Sequence, residues 1–213
     1  MIKEIYTLYV ERWHFFLDLT WEHLQISLMS IVIATMVGLG LGIMISMYRK
    51  SSSTVLGITN FIYTIPSIAL FGFLIPFSGI GNTTAIIALS IYALLPMVHN
   101  TYTGIIGIDK EIIEAARGMG STTFQILYKI QIPLAFPVIL SGIRNMVVMT
   151  IALTGIAAFI GAGGLGVAIY RGITTNNSAM TIAGSLLIAL LALLADWGVG
   201  RYEKYIKRKR KLL

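Results

Sequence analysis

Chemistry needs acids, bases, nucleophiles or metal ligands held close together, and this chain is poor in all of them. Nine Asp or Glu and three His are spread over 213 residues, and there is no Cys. A disulfide framework, a Cys-based zinc site and a redox pair are therefore excluded. His99 stands within an apolar stretch while His14 and His23 precede the first one, so His99 is expected to be the one histidine inside a span. It has no second ligand nearby in sequence and reads as a packing or pathway-facing residue; no metal site is expected. Gly161, Gly163 and Gly166 satisfy G-x-G-x-x-G. No strand pattern precedes them and no βαβ unit surrounds them, so they predict close packing or a re-entrant turn rather than a dinucleotide site. A G-x-x-x-x-G-K-[ST] phosphate loop is absent from the sequence.

The richest segment is the 36 residues Asp109–Arg144, DKEIIEAARGMGSTTFQILYKIQIPLAFPVILSGIR. Glu111, Glu114, Ala115 and Ala116 favour a short helix, and Gly118 and Gly120 break it. Ile112, Ile113, Met119, Phe124, Ile126 and Leu127 are too apolar for a freely solvated loop. They must be buried, either on the chain's own helices or on a partner protein.

The elements that would hold this segment are set by composition. Apolar residues make up 56% of the chain and charged residues 12%, with a mean hydropathy of +0.83. A soluble domain carries about 25% charged residues, so this is a polytopic membrane protein and the fold class is all-α. A span needs roughly 20 apolar residues. Charge-free stretches place five spans, near Leu24–Met47, Val55–Pro76, Thr84–Ile106, Asn145–Phe159 (with an earlier start left open) and Ala179–Trp197. The run Phe77–Asn82, after Pro76, marks the turn between the second and third. With the N-terminus outside, 13 Lys or Arg fall on the inner side and three, Lys3, Arg12 and Arg171, on the outer. The positive-inside rule thus gives N-out and C-in, with Asp109–Arg144 in the cytoplasm.

Three further features belong to the ends and the first span. Residues 1–22 show apolar positions at helical spacing between Glu4, Glu11, Arg12 and Asp18, and predict an amphipathic outer-interface helix rather than a secretory signal. The formal charge of +7 is a property of the tail, residues 201–213, where seven Lys or Arg face only Glu203. It serves either as a topology signal or as an attraction to anionic lipid, and it does not indicate nucleic acid. Gly38 and Gly42 allow a close helix contact, within the subunit or across a dimer. Asp196 is expected to mark the inner boundary of the fifth span near Arg201, and no acid falls in mid-span, which argues against an ion-coupled carrier.

Glu114-Ala115-Ala116, three residues, Gly120, nine residues, Ile130, one residue and Ile132-Pro133 resembles the EAA signature of ABC importer membrane subunits. It spans seven positions at fixed spacing, with Ile132 where the pattern prefers Leu. Ile65–Ala69, Leu95-Pro96 with Asn100–Tyr102, Gly142–Asn145 and Gly161–Gly166 look like permeases of the osmoprotectant subfamily, which take up glycine betaine, carnitine and choline.

The resemblance implies a type I ABC importer permease fold over residues 23–200, with a cytoplasmic coupling loop at 109–135. Glu114, Ala115 and Ala116 would sit in a groove of a cytoplasmic ATPase, Gly118 and Gly120 would let the chain turn out of it, and Ile130 and Pro133 would complete the motif. Pro133 and Pro137 suit the start of the fourth span. The chain itself would be non-catalytic and hold no cofactor; ATP and Mg would be bound by the partner ATPase dimer. A second permease subunit, identical or paralogous, and an extracytoplasmic substrate-binding protein would complete the complex in the bacterial cell membrane. A permease for an amino acid, methionine or an ergothioneine-like betaine is the alternative, and an ion-coupled secondary transporter the weaker one. No substrate-binding residue can be named from the sequence.

Overall fold

The computed structural model describes residues 1–209, and the part of the tail at 210–213 lies outside the described residues. In chain order the helices are α1 (Ile2–Glu11), α2 (Trp13–Met47), α3 (Ser52–Thr64), α4 (Ser67–Ser78), α5 (Asn82–Ile106), α6 (Lys110–Gly118), α7 (Thr123–Ile126), α8 (Ile132–Thr154), α9 (Gly166–Thr174) and α10 (Ser178–Lys209). A π-helical stretch, Leu127–Gln131, joins α7 to α8 without a break, and a 3-10 turn, Ile156–Ile160, follows α8. The protein is all-helical, and α2, α5, the continuous run Thr123–Thr154 and α10 are each long and apolar enough to cross a membrane.

The second of the five expected spans is not one straight helix but a sharply bent pair, a broken span or a re-entrant loop. Instead of one span over Val55–Pro76, α3 and α4 meet at an angle of 100°. Pro66 has no N–H and disfavours helical backbone at the residue before it, and Ile65 is extended at φ −69° and ψ 128°. The Tyr92 hydroxyl of α5 donates to the Ile65 carbonyl and pins the break. The turn at Phe77–Asn82 falls where the sequence places it, between Ser78 and Asn82.

Two other boundaries move. The N-terminal helix ends at Glu11, and residues 13–22 are part of the 35-residue α2. His23 therefore lies inside a long helix, fully buried, with Nε2 3.0 Å from the Ile151 carbonyl oxygen, so His99 is not the one histidine within a span helix. The fourth span takes the earlier start left open above, with α8 beginning at Ile132, and ends at Thr154 rather than Phe159. Arg144 is thus inside a helix, not before one. The helix α10 runs on to Lys209, so the described part of the basic tail extends the fifth span.

In lipid, helices gain little hydrophobic energy from one another, so close van der Waals packing decides their association. The buried residues of α2, including Phe16, Leu19, His23, Ile26, Ser30, Ala34, Gly38, Gly42 and Ile45, recur every three to four positions and face the bundle. Gly38 and Gly42 resolve in favour of a contact within the subunit. A Cβ on Gly38 would stand 2.7 Å from the Met97 side chain of α5, and one on Gly42 2.5 Å from Thr101. An inner core forms around Met97, Ile105, Leu127, Ile139 and Met146, and an outer one around Ile26, Phe71, Leu89, Tyr92 and Ile160. On the outer side α1 lies against α10, where Tyr9 donates to the Ala183 carbonyl at 2.8 Å.

Candidate functional site

The segment 109–135 forms a compact cap at the inner end of the bundle. Glu111 in the first turn of α6 and Arg117 in the last complement the helix dipole. The helix then stops in a Schellman motif: Ser121 N–H donates to the Ala116 carbonyl at 3.1 Å and Gly120 N–H to the Arg117 carbonyl at 2.9 Å. Gly120 takes φ +81°, a conformation that costs any other L-residue about 1–2 kcal/mol. The chain restarts at a capping box. Gln125 N–H donates to Thr122 Oγ1, and Thr122 N–H donates to Gln125 Oε1 at 2.8 Å.

These two stops divide the apolar side chains of the segment into two sets. Ile126 and Leu127 are buried, Leu127 within the inner core, while Ile113 is half-buried. Ile112, Met119 and Phe124 face out, and Met119 is 80% exposed. Tyr128, which the sequence reading passed over, stacks on Phe124 with centroids 6.4 Å apart and an angle of 3°. Its only sequence signal is the spacing of four residues from Phe124 on one helical face. Glu114, Ala115 and Gly118 are exposed, whereas Ala116 is turned into the protein at 1% exposure. Ile130 is half-buried in the π-helical stretch, and Pro133 is half-buried in the first turn of α8. Glu114, Arg117, Lys110 and Arg49 also border a cleft of about 360 Å³ between α6 and the end of α2.

Helix α8, into which the cap continues, is tied to α10 by a charged cluster that no sequence motif marks. Arg144 of α8 forms a two-pronged ion pair with Asp196 of α10, at 2.6 Å from Nε and 2.7 Å from Nη2. Its Nη1 lies 3.4 Å from Glu203, whose carboxylate also accepts hydrogen bonds from Ser141 and Lys207, both at 2.7 Å. Gly200 leaves the room for Arg144, because a Cβ there would come within 3.0 Å of the guanidinium carbon. Asp196 therefore pairs with Arg144, while Arg201, expected beside it, lies over the Trp197 ring at 4.4 Å. A cleft of about 1020 Å³ opens beside this cluster.

The outer end has its own clasp. Glu22 of α2 accepts from Asn82 Nδ2 at 2.9 Å and from Gly164 N–H at 3.0 Å, and Asn82 accepts from Gly163 N–H at 2.8 Å. A Cβ on Gly163 would fall 1.9 Å from the Glu22 carboxylate. The G-x-G-x-x-G run is thus a close-packed turn.

An all-helical bundle with one broken crossing, capped inside by a short helix with an apolar exposed rim, matches known proteins closely. The family model described as "Binding-protein-dependent transport system inner membrane component" matches residues 28–208. The carnitine transport permease protein OpuCB of Listeria monocytogenes is 40% identical over 199 residues, covering 93% of this chain and 91% of that protein. The glycine betaine/carnitine/choline permease OpuCD of Bacillus subtilis is 39% identical over 99% of this chain and 93% of its own. The osmoprotectant import permease OsmW of Salmonella typhimurium is 42% identical over 92% of this chain and 97% of its own. Among solved structures, an inward-facing MetNI methionine ABC transporter superposes with a TM-score of 0.83 at 25% identity, covering 90% of this chain and 95% of the other. This chain therefore belongs to the inner-membrane components of binding-protein-dependent transport systems, the multi-pass permease subunits of ABC importers.

Proposed function

We propose that this permease serves an ATP-driven, binding-protein-dependent importer of quaternary ammonium osmoprotectants such as glycine betaine, carnitine and choline. The observation that carries the reading is the likeness along the chain: permeases named for these solutes are about 40% identical to it over nine-tenths of its length. The methionine transporter shares the fold at 25% identity, which favours the osmoprotectant reading over an amino-acid one.

The chain is the path and not the engine. A cytoplasmic ATPase dimer binds ATP and Mg and hydrolyses the nucleotide, a second permease subunit completes the path, and an external binding protein delivers the solute. The segment 109–135 is the coupling element. Glu114, Ala115 and Gly118, with the rim of Ile112, Met119 and Phe124, offer the ATPase a surface mixing one acid with apolar side chains. Ala116 and the turn at Gly120 fix the angle at which that surface is presented. Ile130 and Pro133 join it to α8.

Uptake of labelled glycine betaine, carnitine and choline tests the reading. Cells lacking their own osmolyte importers would express this permease with its ATPase and binding protein. Saturable, energy-dependent uptake, lost in Glu114→Arg, is expected. No uptake of any of the three, with the ATPase still co-purifying, would overturn the substrate class.

A further inference from the structure

Lipid-facing side chains in these helices are apolar: the outward residues of α2 include Leu28, Met29, Val32, Ile33, Met36 and Val37. A different face runs along α3 and α8. Asn60 on α3 and Asn145 on α8 are both exposed, and neither side chain makes a hydrogen bond among the described residues. Asn60 lies eight residues from the inner start of α3, about 12 Å, and Asn145 ten residues beyond the cap that ends at residue 135, about 15 Å, so both are within the membrane-crossing part of their helices. A threonine hydroxyl can satisfy itself on its own helix, as Thr64 does on the Phe61 carbonyl. A carboxamide with two donors and an acceptor cannot do so fully, and leaving it unpaired in hydrocarbon is strongly unfavourable.

The two faces converge. Tyr63, one turn from Asn60, donates to the sulfur of Met149 at 3.4 Å, and Met149 is one turn from Asn145. The α3–α4 break lies next to Tyr63, and its loose backbone ends are tolerated at this depth only inside protein or against water. Tyr63 itself is 44% exposed and meets Tyr92 edge-on at 6.0 Å, so a face of its ring is open.

We propose that this face of α3 and α8 lines a water-filled solute path, with Asn60 and Asn145 in its wall and Tyr63 as the aromatic contact for a passing trimethylammonium group. The wall follows from burial and polarity alone; the ligand chemistry rests on the function proposed above. A quaternary ammonium has no N–H to donate, so an aromatic face suits it better than a hydrogen-bond acceptor. No fixed carboxylate is required.

The chain has no cysteine, so single cysteines can be placed without removing any. Asn60→Cys, Asn145→Cys, Met36→Cys as a lipid-facing control and Lys209→Cys as an aqueous control would be made in the assembled transporter in inside-out vesicles. The probe is the trimethylammonium-ethyl methanethiosulfonate cation, which does not enter lipid. Labelling at 60, 145 and 209 but not at 36 is expected. Labelling at 209 alone would overturn the path assignment. This readout is independent of which solute is carried, so absent betaine uptake with positive labelling would discard the substrate class and keep the path. For the ring, Tyr63→Phe should leave the half-saturating betaine concentration nearly unchanged, whereas Tyr63→Ala raises it about tenfold with labelling at Asn145→Cys intact. Equal effects of Phe and Ala would remove the aromatic role.

Discussion

At Gly120 a Cβ would meet no other atom, so the penalty of a side chain there is conformational and not steric. Gly120→Ala is expected to weaken the α6 stop by about 1 kcal/mol and to leave the bundle intact. Amide hydrogen exchange would show faster exchange confined to 116–121. Gly163 is the opposite case, because a methyl group there collides with the Glu22 carboxylate. Gly163→Ala should open the outer clasp, whereas Gly163→Ala with Glu22→Ala should recover part of the loss in thermal stability. The Arg144 cluster calls for a charge exchange. Asp196→Ala leaves a half-exposed guanidinium without its two-pronged partner and should lower the melting temperature of the purified permease. Arg144→Asp with Asp196→Arg should melt closer to the native protein than Arg144→Asp alone. The spacing from Glu114 to Pro133 is local and could be read directly. The Arg144–Asp196 pair is separated by 52 residues and depends on the register of two helices, which no single-sequence pattern specifies.

The elements were legible to the extent that apolar length defines them. Helices α2, α5 and α10 fall where charge-free stretches put them, because about 20 apolar residues have few other fates in lipid. Their ends were not, since helices here outrun the apolar stretch: α2 begins at Trp13 and α10 reaches Lys209. The break in the second crossing was signalled by Pro66, but its 100° angle is fixed by a tertiary contact, the Tyr92 hydroxyl on the Ile65 carbonyl. Tyr92→Phe should therefore loosen α3 against α5 without unfolding the bundle, seen as protease sensitivity near Ile65. The Gly38–Gly42 pair was read as a close contact, and choosing its partner took the structure: Met97 and Thr101 of the same chain. Gly42→Leu should force α2 off α5 and lower thermal stability in detergent by several degrees, whereas Gly40→Leu, with open space around it, should not.

The whole molecule has an inner end and an outer end built differently. Outside, Glu22, Asn82 and the glycine turn hold α2, α5 and the segment after α8 together. Inside, the cap formed by α6 and α7 continues without a break into α8, and α8 is tied by Arg144 to α10. A displacement of the cap thus acts on α8 directly, and α8 carries one wall of the proposed solute path. On the proposed function, binding of the ATPase at this cap is what moves solute. The most direct measurement is ATP hydrolysis and glycine betaine uptake recorded together, in proteoliposomes holding the assembled transporter and its loaded binding protein. The native permease is expected to couple the two. With Glu114→Arg, the complex should still reconstitute while uptake falls at least tenfold and hydrolysis no longer responds to the loaded binding protein. Native uptake with solute-stimulated hydrolysis in Glu114→Arg would contradict it.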